Sequence, residues 1–211
     1  MTSVVTLPSG ILFGPECGMG EVRYDGVDMA DSTGSVQTRL YGHPRWTVTL
    51  ASPQRMTNAE AARWRQLVLS MKGRLNVLTV GDVVQTAPRG TMRGTITLRS
   101  SCAAGDETLL LTGGSGQAAR TLLAGDFIQV GTGYGSSQLV CVLADATADS
   151  SGNIDVSIAH PMRDAYTSST AVTWDHPVGY FRQLGDKSTW TYNNTGVHQS
   201  GYSLDLLEQW T

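Results

Sequence analysis

Residues 44–73 read PRWTVTLASPQRMTNAEAARWRQLVLSMKG, and this stretch contains both kinds of regular structure that the chain is expected to form. In its first part the apolar residues Trp46, Val48 and Leu50 alternate with polar residues. This period of two predicts a strand with one face buried and the other facing solvent.

The second part of the stretch predicts an α-helix over residues 57–72. Thr57 is followed three residues later by Glu60, the spacing of a capping box in which each side chain binds a free backbone amide of the first turn. Gly73 is expected to end the helix in the left-handed conformation. The apolar residues fall on one helical face: Ala61, Trp64, Leu67, Val68 and Met71. We therefore expect the helix to lie across a sheet, with Trp64 as its main anchor.

Short alternating runs on both sides of this stretch predict further strands. They are SVQTRLY before it and RLNVLTV, GTITLRS, ETLLLTG, DFIQVG, QLVCVLA, NIDVSIA, TAVTWD and YSLDLLEQW after it. Turn signals such as GGSG, GTGYGSS, DSSGN and NNTG separate many of them. SVQTRLY and the strand after it, divided by Gly42 and His43, are expected to form a hairpin. This spacing predicts a mainly β fold, a sandwich or a barrel.

The composition narrows the class of protein. A chain of 211 residues can bury a core without disulfide or metal support. Its formal charge of -3 argues against a surface built to neutralise phosphates. The odd set Cys17, Cys102 and Cys141, without a CxxC pair, favours a reduced protein made in the cytoplasm. The sequence shows neither a signal peptide nor an apolar run long enough for a membrane span.

Two glycine-containing motifs resemble chemical sites and are interpreted as turns. Ala-Gly-Asp occurs at 104–106 and at 124–126, each time directly before a predicted strand. Glycine supplies a positive φ and aspartate binds nearby backbone, so the repeat indicates a turn that starts a strand. GTGYGSS, residues 131–137, is followed by a predicted strand and not by a helix, which favours a hairpin loop over a nucleotide-binding loop.

Residues with catalytic chemistry do not form recognisable patterns. His43, His160, His176 and His198 have no HxH or HExxH spacing, and a metal site assembled from distant residues is the alternative. Cys141 has apolar neighbours and is expected to be a small buried side chain, whereas Cys102 lies in the turn-like SSCAAG, a setting that allows exposure. We therefore predict no catalytic, cofactor-binding or metal-binding residues and no enzyme activity. A hydrolase assembled from scattered residues is the alternative.

Aromatic residues concentrate toward the C-terminus and raise the possibility of sugar binding. They are Trp174, Tyr180, Trp190, Tyr192, Tyr202 and Trp210. On a β-sandwich such rings can stack on sugars, but more often they anchor a core or an interface.

Changes in the character of the chain near two junctions predict a discontinuous domain layout. The segments TAPRGTMRG, residues 86–94, and DHPVGYFRQLG, residues 175–185, carry Pro and Gly. One domain is expected to span 1–90 and 178–211, with a second domain at 91–177 inserted at an exposed loop. Two consecutive domains are the alternative.

The order of these phrases resembles the distal tail protein family and related minor tail proteins of long-tailed bacteriophages. The phrases are the helix NAEAARWRQLVLSMKGRLN, the junction APRGT, LLAGDFIQVG, the run to SIAHPMRDA and the return HPVGYFRQLG. Gln183 interrupts the return phrase, and CGMGEVRYDGVDMADS, residues 17–32, matches no recognisable pattern. The resemblance covers nearly the whole chain, but its motifs are short and structural.

This resemblance implies a structural protein of the virion tail tip. It implies a tail-tube-like β-sandwich with one flanking helix and an inserted small β-barrel. Such subunits form a ring, a hexamer or else a trimer, between the tail tube protein and the hub and fibre proteins, and DNA passes through the lumen. No cofactor and no membrane contact are implied. A carbohydrate-binding β-sandwich module for host adhesion is the alternative function.

Overall fold

The computed structural model describes residues 2–22, 26–30, 36–40, 42–187, 190–192 and 199–210. It gives no side-chain description for the strand residues 26–30, 36–40, 191–192 and 199–200. The prediction of a mainly β fold with one α-helix is confirmed.

The chain divides into two compact units, Met1–Val80 with Tyr180–Trp210, and Gly81–Gly179. In chain order the elements are β1 Val4–Thr6, β2 Gly18–Val22, β3 Gly26–Ala30, β4 Val36–Leu40, β5 Arg45–Ala51, α1 Asn58–Met71, β6 Val77–Val80, β7 Ile96–Leu98, β8 Thr108–Thr112, a 3-10 turn Ser115–Gln117, β9 Thr121–Leu122, β10 Phe127–Gly131, β11 Ser137–Cys141, β12 Ala146–Thr147, β13 Asn153–Ser157, β14 Ala171–Thr173, β15 Gly179–Gln183, β16 Thr191–Tyr192, β17 Gln199–Ser200 and β18 Ser203–Glu208.

The first unit is built on a six-stranded sheet in the order β1-β6-β15-β18-β5-β2. Trp46, Val48 and Leu50 of β5 are buried and alternate with half-buried polar residues, as the sequence predicts. The predicted hairpin of residues 35–41 with β5 is wrong, because β4 pairs with β3 while β5 pairs with β2 and β18. The long-range partner β18 lies about 150 residues away in sequence, which local patterns cannot reveal.

The helix α1 follows its predicted span closely. Thr57 and Glu60 form the predicted capping box, with the Glu60 backbone amide donating to Thr57 Oγ1 over 3.3 Å and the Thr57 amide donating to Glu60 Oε2 over 2.7 Å. The helix ends one residue earlier than expected, because Lys72 is the C-cap and takes the left-handed conformation with φ of 49°. Gly73 follows with φ of 63°.

The predicted apolar face of α1 is buried, and Trp64 anchors it. The Trp64 ring stacks on Tyr202 with centroids 6.2 Å apart and meets Phe13 edge-on at 6.0 Å. Its indole Nε1 donates to the Leu12 carbonyl over 2.9 Å. Trp190 stacks on Tyr202 at 5.7 Å. Because Tyr202 begins the alternating buried positions that continue through β18, the helix packs against that face of the sheet.

The second unit contains a six-stranded antiparallel sheet in the order β11-β10-β14-β7-β8-β13. Its two end strands also meet, because Val142 and Ile158 form an antiparallel bridge directly after them. The Ala159 amide donates to the Cys141 carbonyl, and the Leu143 amide donates to the Ser157 carbonyl, each over 2.9 Å. The sheet therefore closes into a small barrel, and its core consists of aliphatic side chains, methionines and a cysteine.

The segments that lead into and out of the barrel run side by side within the second unit. The His176 amide donates to the Thr86 carbonyl over 2.7 Å. A Cβ atom at Gly81 would lie 2.0 Å from the Pro177 carbonyl oxygen, so this close approach requires glycine. Residues 81–90, assigned to the first domain by sequence, thus lie in the compact unit of the barrel.

Candidate interaction surfaces

The histidines do not converge. His160 is buried in the second unit, whereas His176 is exposed there and lies 2.7 Å from the carboxylate of its neighbour Asp175. His43 is exposed in the first unit, and His198 lies outside the described residues. Within the described ranges, no group of three or more His, Cys, Asp or Glu side chains could hold a metal ion.

All three cysteines are free thiols in structural positions. Cys17 exchanges hydrogen bonds with the backbone of Ala51, accepting from its amide over 3.1 Å and donating to its carbonyl over 3.3 Å. Cys102 is buried, so the exposure that its turn-like sequence allows does not occur. Cys141 is partly buried. Burial raises the pKa of both Cys102 and Cys141, which disfavours the reactive thiolate.

The two Ala-Gly-Asp segments form the same turn, as predicted. In the first, Asp106 accepts the Ala103 amide over 2.7 Å, and in the second, Asp126 accepts the Leu123 amide over 2.8 Å. The glycine before each aspartate has a positive φ, 94° and 89° respectively. Strands β8 and β10 begin directly afterwards. The repeat is therefore a structural device that starts barrel strands.

Asp126 has a second structural role that the local sequence does not reveal. Its side chain is completely buried, and it also accepts the backbone amides of Arg89 over 2.7 Å and Gly90 over 3.1 Å. Gln85 Nε2 donates to it over 3.2 Å. Arg89 donates from Nη2 to the Ala124 carbonyl. The carboxylate thus fixes the incoming segment to the barrel, and all its neighbours are protein groups that hold it in place.

GTGYGSS is a hairpin loop, as predicted. It joins β10 to β11, and Gly131 pairs with Ser137 across the hairpin. Ser136 and Ser137 use their hydroxyls to donate to backbone carbonyls of the loop, over 2.6 and 2.9 Å. Strand β11 follows where a nucleotide-binding motif would have a helix.

The C-terminal aromatic residues are engaged within their own units. Trp174 packs against the barrel core, donates its indole N–H to the Gly94 carbonyl over 2.7 Å, and has the Arg93 guanidinium 4.9 Å from its ring centroid. The Arg45 guanidinium lies 4.4 Å from the Trp210 ring centroid. Trp190, Tyr180 and Tyr202 are partly or fully buried, and the side chain of Tyr192 is among those not described.

Two adjoining clefts lie on the first unit. The larger, about 400 Å³, is lined by Pro15, Glu16, Ala51, Ser52, Pro53, Gln54, Gly201, Tyr202 and Ser203. The smaller, about 200 Å³, shares Gly201 and Ser203 with it and is otherwise lined by Gln183, Gly185, Lys187 and Asp205. The larger cleft is lined mostly by small or apolar residues, whereas the smaller one also carries the side chains of Gln183, Lys187 and Asp205. The described lining of both clefts offers hydrogen-bonding side chains.

The outer side of α1 carries apolar residues although it is exposed to solvent. It carries Leu69, which is 59 % exposed, and the exposed alanines Ala59 and Ala62. The helical period of the sequence identifies the buried face, but it did not mark this outer face as a candidate surface.

No protein-family model matches the chain, and no curated protein matches it. In the described residues, no helix has both the length and the apolar character that a membrane crossing requires.

Proposed function

We propose that this chain is a structural subunit of a bacteriophage tail tip, where copies of it form a ring. The observation that carries the proposal is the first unit, in which both ends of the chain build one sheet with a single helix against one face. A barrel is formed by the residues between these ends. This arrangement is what the resemblance to distal tail proteins implies.

The open edges of the first sheet support assembly with sister copies. Among the described residues, β1 and β2 each have a sheet neighbour on one side only. The two edges differ in length, three residues in β1 and five in β2, and in pairing, since β1 runs parallel to β6 and β2 runs antiparallel to β5. Unlike surfaces at opposite ends of a subunit are suited to heterologous contacts, which close into rings. In the proposed ring, the tail tube protein and the hub and fibre proteins are the further partners, and DNA passes through the lumen.

The described aromatic rings do not favour the sugar-binding alternative. A stacking platform needs an exposed ring face, and one face of Trp174 is covered by Arg93 and one face of Trp190 by Tyr202. The geometry thus favours a scaffold over a sugar-binding module.

The test is to locate the chain in purified particles. Tails separated from capsids and analysed by mass spectrometry should contain it in a fixed ratio to the tail tube protein. The purified chain should also give the light-scattering mass of a hexamer or a trimer at raised concentration. A chain that is absent from tails and monomeric at every concentration would overturn the proposal.

A further inference from the structure

We infer that the outer face of α1 docks onto the barrel unit of a second copy of this chain. The outer helix face comprises the exposed residues Ala59, Ala62, Arg63, Gln66 and Leu69. The inference rests on the proposed ring function and deepens it, because it names a contact surface and its occupant.

The centre of the outer helix face has the composition of a contact surface. A helix that faces solvent usually presents charged residues there. Here Ala62, Gln66 and Leu69 follow one another at helical spacing, and none is charged. The small alanines allow another backbone to approach closely, and the Leu69 side chain, 59 % exposed, offers apolar area to bury.

The rim of this face is positively charged. Residues 55–74 contain five basic residues and one acidic residue, and of the basic residues Arg74 is paired with Asp186. The acidic one, Glu60, accepts hydrogen bonds from the Thr57 amide and hydroxyl, over 2.7 and 2.9 Å, and so serves the helix cap. The Arg63 guanidinium is held in place by donating to the Gly10 carbonyl over 2.7 Å. The surface therefore favours an acidic partner.

The barrel unit has the complementary charge. Residues 81–179 contain nine acidic and five basic residues, a formal charge of -4, whereas the rest of the chain carries nine acidic and ten basic residues. Complementary potentials orient two protein surfaces and select the partner. The barrel unit of a second copy thus has the negative charge that complements the basic rim of the helix face.

A nucleic acid fits this surface less well than a protein does. Binding to phosphates depends on cations that reach the ligand. Here uncharged residues occupy the centre of the face, and Arg74, one of the cations near it, is 3.7 Å from the Asp186 carboxylate. The exposed side chain of Leu69 can bury apolar area against a protein surface, and a phosphate backbone offers it no apolar contact.

Two double variants test the inference by changing charge at the same positions. Gln66→Glu with Leu69→Glu places like charge against the acidic barrel, and Gln66→Lys with Leu69→Lys is the matched control. All four new residues are good helix formers at exposed positions, so both variants should keep the wild-type melting temperature. We expect the acidic variant to raise the dissociation constant of self-assembly roughly tenfold or more and the basic variant to leave it within about threefold. Equal loss in both, or no change in either, would overturn the charge-based docking.

Cross-linking identifies the occupant. A carbodiimide joins amines to carboxylates at contact distance. When two samples of the basic variant with different isotope labels are mixed, amides should form between residue 66 or 69 of one copy and an acidic residue within 81–179 of another copy. Amides formed only with residues of the first unit would overturn the inference. An acidic variant that assembles normally but binds DNA less tightly than the wild type does would also overturn it. The presence of the chain in tails tests the ring function separately. If the chain is found in tails but its acidic variant assembles normally, the docking is contradicted and the ring function is not.

Discussion

The two compact units fill their interiors in different ways. In the first, a few large rings lie between an open sheet and one helix, with Trp64 stacked on Tyr202. In the second, the buried cluster contains no aromatic side chain and is made of residues such as Leu111, Ile128 and Val156. A narrow six-stranded barrel has room for aliphatic side chains, whereas the space between a helix and a sheet accepts rings. The first unit should therefore depend on single anchors and the second on many small contributions.

Trp64→Ala is the strongest test of this difference. It removes a fully buried ring, a stacking partner and an indole hydrogen bond. We expect a loss of about 3–5 kcal/mol in the free energy of unfolding of the first unit. The comparison is Ile128→Val in the barrel, which should cost about 0.5–1.5 kcal/mol. Denaturant unfolding measures both, and equal losses would contradict the distinction between anchored and distributed cores.

The second test concerns the carboxylate that fixes the segment leading into the barrel. Asp126→Ala leaves the amides of Leu123, Arg89 and Gly90 without their shared acceptor in a buried setting. We expect a loss of about 3 kcal/mol in the stability of the barrel unit. Asp106→Ala is the matched control, because it removes one exposed hydrogen bond from the same turn and should cost at most about 1 kcal/mol.

These two turns also show how far the sequence can be interpreted. Both copies of Ala-Gly-Asp are recognisable as turns from local chemistry, and the α1 cap and apolar face are recognisable in the same way. The burial of Asp126 depends on Arg89 and Gly90, which lie about 36 residues away, and no local pattern encodes that contact. Strands β2 and β3 lie in the segment 17–32 that matched no pattern, because glycines in β2 remove the alternation of apolar residues. Pairing with β5 holds β2 in place.

The helix cap provides a smaller test of how the first unit keeps its anchor in place. Thr57→Ala removes the side-chain acceptor for the Glu60 amide and should cost about 1 kcal/mol. Thr57→Ser keeps a hydroxyl at the N-cap and should retain most of that stability. The helical circular dichroism signal followed during denaturation measures both. If the alanine variant unfolds like the wild type, packing of Trp64 alone determines the helix start.

The mildest effect is expected from Tyr166, which packs against the aliphatic core of the barrel. Burial raises the pKa of its phenol to about 12, above the ordinary value of about 10. The unfolded chain therefore loses this proton first as the pH rises, so the stabilising contribution is complete below about pH 10 and is lost as the pH approaches 12.

Denaturation midpoints measured across this window should fall more steeply for the wild type than for Tyr166→Phe, which keeps the ring and lacks the proton. Because the described residues offer the Tyr166 hydroxyl no hydrogen-bond partner, the phenylalanine variant should remain folded at neutral pH. Parallel slopes for the two proteins would mean that water reaches the phenol and that the barrel is less tightly closed at this residue than its strand pairing indicates.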